Sequence, residues 1–264
     1  MAQVVAHLVW DQRVAGSSPV FPTDNFIMRS WKPSLDFYKG LEQVSNQRKD
    51  QAQRISDIIE LSHLKSIEVI ETGASQSFDD GCFGLLFAHL AKEHGGKFSS
   101  IDVDEDISSR SIQLYKDHLP DFDELVNLTM DSVDFLMSYE GSPTIVHLDS
   151  WDFDIYNPEP SMLHTFLEFK AIEGKMEKGS YIIIDDNFVR GTFIYWNIFS
   201  GGEVIEKREF EVEHEIFGKG SLIYHYCKRS GSNWEIVNDL FEDGPHRYAN
   251  QKLVIRKIGR WPSG

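Results

Sequence analysis

Acidic side chains follow two apolar segments that the sequence predicts to be strands. Asp149 follows residues 145–148, and Asp185 and Asp186 follow residues 182–184. Neighbouring parallel strands would bring these carboxylates together, and they would repel one another unless they were protonated or neutralised by a cation. Carboxylate oxygens are ligands for Mg²⁺, Ca²⁺ or Mn²⁺. The pattern therefore predicts a metal site at these three residues, with solvated loop acids as the alternative.

A loop of small residues follows an earlier apolar segment. Residues 69–77 read VIETGASQS, and Gly73 in their middle would let the backbone approach a ligand closely. The spacing is not the GxGxxG of dinucleotide-binding loops. The loop is therefore a candidate ligand cradle, while a simple tight turn at Gly73 is the alternative.

Further acidic residues lie at or just after the ends of predicted strands. Asp102 stands about thirty residues after the loop, where a carboxylate can accept hydrogen bonds from both ribose hydroxyls. Asp104 is predicted to cap the next helix. Asp131 and Ser132 follow the third strand, where they would either meet an adenine edge or cap a helix, and the sequence does not decide between the two.

These residues belong to an alternation of strands and helices. Strands are predicted at residues 66–71, 97–103, 125–130, 144–149 and 180–185, with helices at 81–94, 107–118, 132–139 and 161–176. This order predicts a parallel sheet covered by helices on both faces, whose strand carboxyl ends share one ligand-binding edge.

The organisation outside this alternation is less regular. Residues 1–27 are expected to be a disordered tail or to precede a true start at Met28. A helical segment occupies residues 28–64, with its helix at 33–64, and a catalytic-type domain occupies residues 65–264. Within that domain lie an insertion at 189–217, a helix through 229, and final strands at 234–237 and 253–258.

Composition excludes several classes of protein. The 264 residues carry 26 Lys and Arg against 42 Asp and Glu, a formal net charge of −16, which argues against binding duplex nucleic acid or anionic membranes. No apolar run is long enough to span a bilayer. Two cysteines do not form a disulfide scaffold, so we expect a cytoplasmic protein.

The ordered set of strand-end residues resembles the class I S-adenosylmethionine (SAM)-dependent methyltransferases over residues 66–258. The stretches LDSWDFD, PSMLHTFLEF and KGSYIIIDDN are similar to a branch of small-molecule O-methyltransferases that act on sugars and macrolides. The resemblance implies a Rossmann-like, mostly parallel seven-stranded sheet with helices on both faces and its last strand antiparallel. It also implies transfer of a methyl group from SAM to a hydroxyl of a small molecule.

The same resemblance implies roles for individual residues. The implied SAM contacts are Glu71, Gly73, Ser75, Ser77, Asp102, Asp131 and Ser132, and the implied Mg²⁺ ligands are Asp149, Asp185 and Asp186, with Asn187 as a further candidate. The sequence departs from the family pattern at two points. Ser75 and Ser77 stand where many members have glycine. Asp152 stands where the catechol O-methyltransferases, which this sequence resembles more distantly, have a lysine base.

The sequence therefore does not identify the residue that acts as general base. His164, with Glu168 one helical turn later, is one candidate, and a packing histidine is its alternative. Asp149 is predicted to act in catalysis together with the metal. His147 is interpreted as a core histidine, and Lys219 as a contact for an anionic substrate group or as a residue at a helix start.

Other expectations concern partners and rival functions. The aromatic residues of the insertion would form a substrate lid, a core or a dimer contact; they are Phe193, Tyr195, Trp196 and Phe199. The expected partner is a small-molecule acceptor, and we expect no binding to nucleic acid or to a membrane. Whether the chain forms a homodimer stays an open question. The rival functions are an NAD-type nucleotide-binding oxidoreductase and a non-catalytic binding module with a methyltransferase fold.

Overall fold

The computed structural model describes residues 30–62, 64, 67–78, 82–200, 203–237 and 251–259. The expectations for residues 1–27 and for a start at Met28 lie outside these residues. The side chains of Tyr195, Trp196 and Phe199, which were predicted for a lid, also lie outside the described part.

One sheet organises the described chain. Its strands are β1 (Glu68–Thr72), β2 (Lys97–Asp102), β3 (Leu125–Thr129), β4 (Ile145–Leu148), β5 (Tyr181–Val189), β8 (Ile216–Gly218), β9 (Trp234–Ile236) and β10 (Gln251–Lys257). Seven of them lie in the order β3-β2-β1-β4-β5-β10-β9. The strands β1 to β5 are parallel, and β10 is antiparallel to both of its neighbours. This arrangement confirms the predicted fold class.

The sheet has one strand more than predicted. β8 pairs antiparallel with the carboxyl end of β5, so that Gly218 lies opposite Asn187. β5 itself runs to Val189, beyond the predicted end at Asp185, because this short pairing continues its ladder past the edge of the other strands. The additional pairing brings the segment that follows β8 next to the acids of β5.

Helices cover both faces of the sheet. They are α3 (Phe83–Glu93), α4 (Glu105–His118), α5 (Ser132–Ser138), α6 (Glu159–Ile172) and α7 (Ser221–Cys227). Alternation along β1 assigns Val69 to one apolar core and Ile70 to the other. Phe87 of α3 lies in the first core and Phe169 of α6 in the second, so the sheet separates two buried layers.

The helical stretch predicted at residues 33–64 consists of two helices, α1 (Lys32–Gly40) and α2 (Asn46–Ile58). The chain turns between them, and Ser45 caps α2 by accepting a hydrogen bond from the backbone N–H of Arg48 at 3.3 Å. Trp31 anchors the pair by donating its indole N–H to the carbonyl of Ile59 at 3.1 Å. Tyr38 of α1 is packed in the core beside α3.

The predicted insertion contains a two-stranded antiparallel hairpin, β6 (Phe193–Ser200) and β7 (Glu203–Glu211). A small third core lies at its base and includes Phe153, Phe188 and Val212. The ring of Phe153, from the loop after β4, lies 5.7 Å from that of Phe188. Among the described residues, no helix combines the length and apolar content that crossing a bilayer would require.

Candidate active site at the carboxyl edge of the sheet

A cavity of about 540 Å³ opens at the carboxyl ends of the parallel strands. It brings together six of the predicted site residues: Gly73, Ser75, Asp102, Asp149, Asp185 and Asp186. The remaining lining residues are Arg48, Ala74, Gln76, Phe83, Val103, Asp104, Ile107, Trp151, Asp152 and Lys219. Residues that are far apart in the sequence thus meet where an open parallel α/β sheet binds its ligands.

Gly73 allows the loop after β1 to pass close to the backbone that follows β4. Its φ is +77°, and a Cβ atom there would lie 2.4 Å from the carbonyl oxygen of Asp149. Its backbone N–H donates to the carbonyl of Ile101 at 2.9 Å. Only glycine meets both the conformational and the spatial requirement, so this position constrains the loop beyond a simple tight turn.

Glu71 lies beneath the loop and does not line the cavity. Its buried carboxylate accepts hydrogen bonds from the hydroxyls of Ser75 at 2.9 Å, Ser100 at 3.0 Å and Tyr115 at 2.5 Å. Burial alone would raise the pKa of Glu71, but His147 and the hydroxyl donors outweigh it and hold that pKa below its ordinary value. Glu71 therefore fixes the shape of the loop from below.

This bonding accounts for one departure from the family pattern. The hydroxyl of Ser75 donates to Glu71 and accepts the backbone N–H of Gly84 at 3.2 Å, so it ties the loop to the start of α3. A glycine at residue 75 would lack both hydrogen bonds. Ser77 follows in the same loop but does not line the cavity.

Asp102 lies at the cavity with both carboxylate oxygens held by backbone amides. One oxygen accepts the N–H of Ala74 at 3.0 Å and the other the N–H of Asp104 at 2.9 Å. Each oxygen keeps a second lone pair for a ligand. Asp104 accepts the amides of Asp106 and Ile107 at the start of α4, which confirms its predicted capping role.

Asp131, Ser132 and His164 lie outside the cavity lining. Asp131 caps α5 by accepting the backbone N–H of Asp134 at 3.0 Å, as its structural alternative predicted. The Ser132 hydroxyl lies 3.0 Å from Nε2 of His164. His164 thus joins α5 to α6, and its ring packs near the indole of Trp151, which does line the cavity, at 5.4 Å between ring centroids.

The surroundings of His164 favour its charged form. Nε2 lies 3.6 Å from a carboxylate oxygen of the buried Glu168, which raises the pKa of His164 despite partial burial. The same oxygen of Glu168 accepts the hydroxyl of Ser150 at 2.7 Å. These contacts link α6 to the loop after β4, and they do not bring the imidazole to the cavity.

Two buried lysines neutralise the acids at the ends of β4 and β5. Nζ of Lys219 lies 2.9 Å from a carboxylate oxygen of Asp149 and 2.9 Å from one of Asp186. Lys252, on β10, forms an ion pair with Asp185. Neutralisation by lysine side chains of the protein itself was not predicted, because no local pattern connects residue 252 to residue 185.

These contacts set the charge states in the cluster. Burial disfavours the ammonium of Lys219, but Asp149, Asp186 and Asp185 outweigh it and raise its pKa. Burial likewise disfavours the carboxylate of Asp185, yet Lys252 holds its pKa below the ordinary value. For Asp149 burial is the larger influence, and it raises the pKa in spite of Lys219.

The turn after β8 holds Lys219 in place. Gly218 has φ +143°, and a Cβ atom there would lie 2.0 Å from the carbonyl oxygen of Asp186, so glycine allows the close approach to β5. Oδ1 of the buried Asn187 accepts the N–H of Gly220 at 2.8 Å, while its amide donates to two backbone carbonyls. Asn187 therefore positions the turn, and its side chain is engaged in hydrogen bonds rather than free as a metal ligand.

The donor set does not fit the predicted Mg²⁺ site. His147, Asp149 and Asp185 can each offer a ligand atom, all within 4.8 Å of one another. However, the three predicted ligands Asp149, Asp185 and Asp186 are all paired with buried ammonium groups. The additional donor, His147, offers an imidazole rather than the oxygen that Mg²⁺ prefers. Burial lowers the pKa of His147 and outweighs the opposite influence of Glu71, which lies 3.7 Å from Nδ1, so His147 is a core residue whose neutral form is favoured.

Backbone strain and an unpredicted basic residue mark the cavity further. Trp151 and Asp186 have φ values of +57° and +51°, and strained non-glycine residues often cluster at functional sites. The Trp151 side chain is 58% exposed.

Arg48 reaches the lining from α2 and donates to Gln51 at 3.3 Å. No motif in the sequence marks Arg48.

No protein-family model and no curated protein matches this chain. Among solved structures, a candidate rRNA methylase from Clostridium thermocellum is 12% identical, with 83% of this chain and 99% of that chain covered and a TM-score of 0.50. Magnesium protoporphyrin IX methyltransferase from Synechocystis PCC 6803, with bound SAM, is 13% identical over 88% and 94% of the two chains, with a TM-score of 0.41.

A SAM-dependent methyltransferase from Thiobacillus denitrificans, in complex with S-adenosyl-L-homocysteine, is 10% identical with a TM-score of 0.39. The match covers 60% of this chain and 56% of that one, so the chain spans little more than half the length of that structure. At 12% identity, the likeness to the Clostridium thermocellum structure shows a shared fold, the Rossmann-like fold of methyltransferases.

Proposed function

We propose that this protein is a SAM-dependent methyltransferase that methylates a hydroxyl group of a small molecule. One observation carries the proposal: the Gly73 loop, Asp102 and the acids of β4 and β5 line a single cavity at the carboxyl edge of the sheet. The fold shared with methyltransferases favours SAM over a nucleotide as the ligand of this cavity.

The cavity has the features that a sulfonium nucleoside requires. Gly73 lines the cavity without a side chain, and Asp102 retains lone pairs for ribose hydroxyls. Six aspartates and two basic residues line the cavity, and this excess of negative charge favours a cationic ligand. Among the residues that the structure describes, Arg48 donates to Gln51 and forms no ion pair with a carboxylate, so its guanidinium suits the carboxylate of the methionine moiety.

When bound, SAM supplies an electrophilic methyl group, and the bond from that carbon to the acceptor oxygen forms as the bond to sulfur breaks. The protein's residues supply proximity and orientation, because the reaction brings opposite charges together. The acceptor proton needs a base within reach. Asp149 lies at the cavity, one third exposed, with a raised pKa that makes its carboxylate a better proton acceptor. We therefore propose Asp149, rather than His164, as the base that accepts the proton of the acceptor hydroxyl.

A small-molecule acceptor fits the charge of the protein. Nucleic acid binding depends on clustered lysine and arginine against the phosphates, whereas this chain has a net charge of −16 and an acidic cavity. The exposed indole of Trp151 offers a flat apolar surface at the cavity, beside the acids.

Isothermal titration calorimetry tests the proposal. We expect SAM and S-adenosylhomocysteine to bind the full chain at one site, and NAD⁺ not to bind. Binding of NAD⁺ alone would point to the oxidoreductase alternative. Binding of none of the three would point to a binding module that lacks methyltransferase activity.

A further inference from the structure

A positive charge already occupies the position between the acids of β4 and β5. The ammonium of Lys219 contacts Asp149 and Asp186 at 2.9 Å each, and Lys252 pairs with Asp185. We propose that these two lysines take the place of a divalent cation, so that the site works without a bound metal. The catalytic part of this inference rests on the proposed function, whereas the part that concerns metal binding does not.

The lysines are fixed parts of the site. Lys219 is 2% exposed, and the Gly218 turn holds its backbone against Asp186, with the N–H of Lys219 donating to that carbonyl at 3.1 Å. Lys252 is also buried, and its ammonium lies 4.2 Å from the centroid of the Phe83 ring. A metal ion would have to displace both ammonium groups from buried contacts or bind beside them against their repulsion.

The charge balance points in the same direction. The ammonium groups of the two lysines already offset most of the carboxylate charge in the cluster of Asp149, Asp185, Asp186, Lys219 and Lys252. A divalent ion added to this cluster would make it positive and would disfavour a cationic ligand in the same cavity.

His147 is the residue whose surroundings most favour a bound metal. Its ring nitrogens have no hydrogen-bond partner among the described residues, and its ligand atom lies within 4.8 Å of those of Asp149 and Asp185. The ring packs against Phe87, at 5.2 Å between centroids, and against Phe83 at 6.2 Å. A neutral imidazole in this aromatic setting does not need a metal, and its substitution separates the two explanations.

Mn²⁺ binding, followed by electron paramagnetic resonance, provides the test. We expect the wild-type chain to bind Mn²⁺ no better than Asp185→Asn does. Lys219→Met should bind Mn²⁺ at least about tenfold more tightly than the wild type does, because the carboxylates of Asp149 and Asp186 become available. Lys228→Met is the matched control, since it removes an exposed lysine paired with Glu215 and should leave Mn²⁺ binding unchanged.

Two results would overturn the inference. One is a single wild-type Mn²⁺ site with a Kd below about 0.1 mM that is lost in His147→Ala or Asp185→Asn. The other is a folded Lys219→Met that binds Mn²⁺ no more tightly than the wild type does.

A second measurement does not depend on the folding of any variant. Calorimetry of the wild type with SAM should give the same affinity in EDTA and in Mg²⁺, and a tenfold loss in EDTA would contradict the inference. Failure of SAM to bind in either buffer would refute the proposed function and leave the Mn²⁺ result standing, so the two failures are distinguishable.

Discussion

The two sides of the cavity hold their carboxylates in different ways. On the β2 side, Asp102 is held by backbone amides of Ala74 and Asp104. On the β4 and β5 side, Asp149 and Asp185 are held by the side chains of Lys219 and Lys252. The first side keeps its full negative charge for a ligand, whereas the second is largely neutralised internally. The comparison shows that acids at one edge of a sheet do not by themselves define a metal site.

The largest effect is expected where a buried charge loses its partner. Lys252→Met leaves the carboxylate of Asp185 buried without its lysine, and we expect a loss of about 3–5 kcal/mol in the free energy of unfolding. Urea unfolding measures the change. Lys228→Met, at an exposed ion pair, should cost no more than about 1 kcal/mol. Equal losses in the two variants would mean that the pair on the β5 side contributes no more than a surface contact.

A second effect concerns the carboxylate beneath the loop. Glu71 has a lowered pKa in the folded state, so its contribution to stability is present above its unfolded pKa of about 4.3 and is lost as the pH falls through the folded value. Glu71→Gln should therefore cost about 1–3 kcal/mol at pH 7 and show a shallower loss of stability toward acid. Unfolding curves from pH 7 to 3.5 measure both. Parallel pH profiles for the variant and the wild type would show that Glu71 is not the titrating group.

The smallest effect is expected outside the cavity. His164 contacts Ser132 and Trp151 but does not line the cavity, so His164→Ala should change the affinity for SAM by less than about twofold. Calorimetry with SAM measures it. A loss of tenfold or more would place the imidazole in the binding machinery and would remove the distinction between the cavity and the α5–α6 contact.

The sequence predicted the parts of this site that depend on local pattern. Gly73 follows β1 and Asp102 ends β2. Because the carboxyl ends of parallel strands share one edge of the sheet, their meeting followed from the order of the elements. Lys252 could not be predicted to pair with Asp185, because that pairing depends on the register of an antiparallel strand 67 residues away. The break between α1 and α2 was also missed, since both halves have helical spacing and only the Ser45 cap marks the boundary.

The predicted contacts at Asp131 and Ser132 illustrate another limit. A short acceptor after a strand suits both a ligand and a helix cap, and the N–H groups of the first helical turn are always close by. In this chain Asp131 accepts one of them, and the Ser132 hydroxyl contacts His164. The sequence alone contains no information that separates these uses.

The affinity of SAM for the wild type and for Asp102→Ala, measured by calorimetry side by side, tests the central claim most directly. We expect the wild type to bind SAM and the variant to lose about 1–3 kcal/mol of binding free energy, roughly 5- to 150-fold, because the ribose hydroxyls lose their acceptor. Asp117→Ala, which removes an exposed carboxylate of α4, should bind as the wild type does. Unchanged affinity in Asp102→Ala would contradict the assignment of this cavity to the SAM ribose.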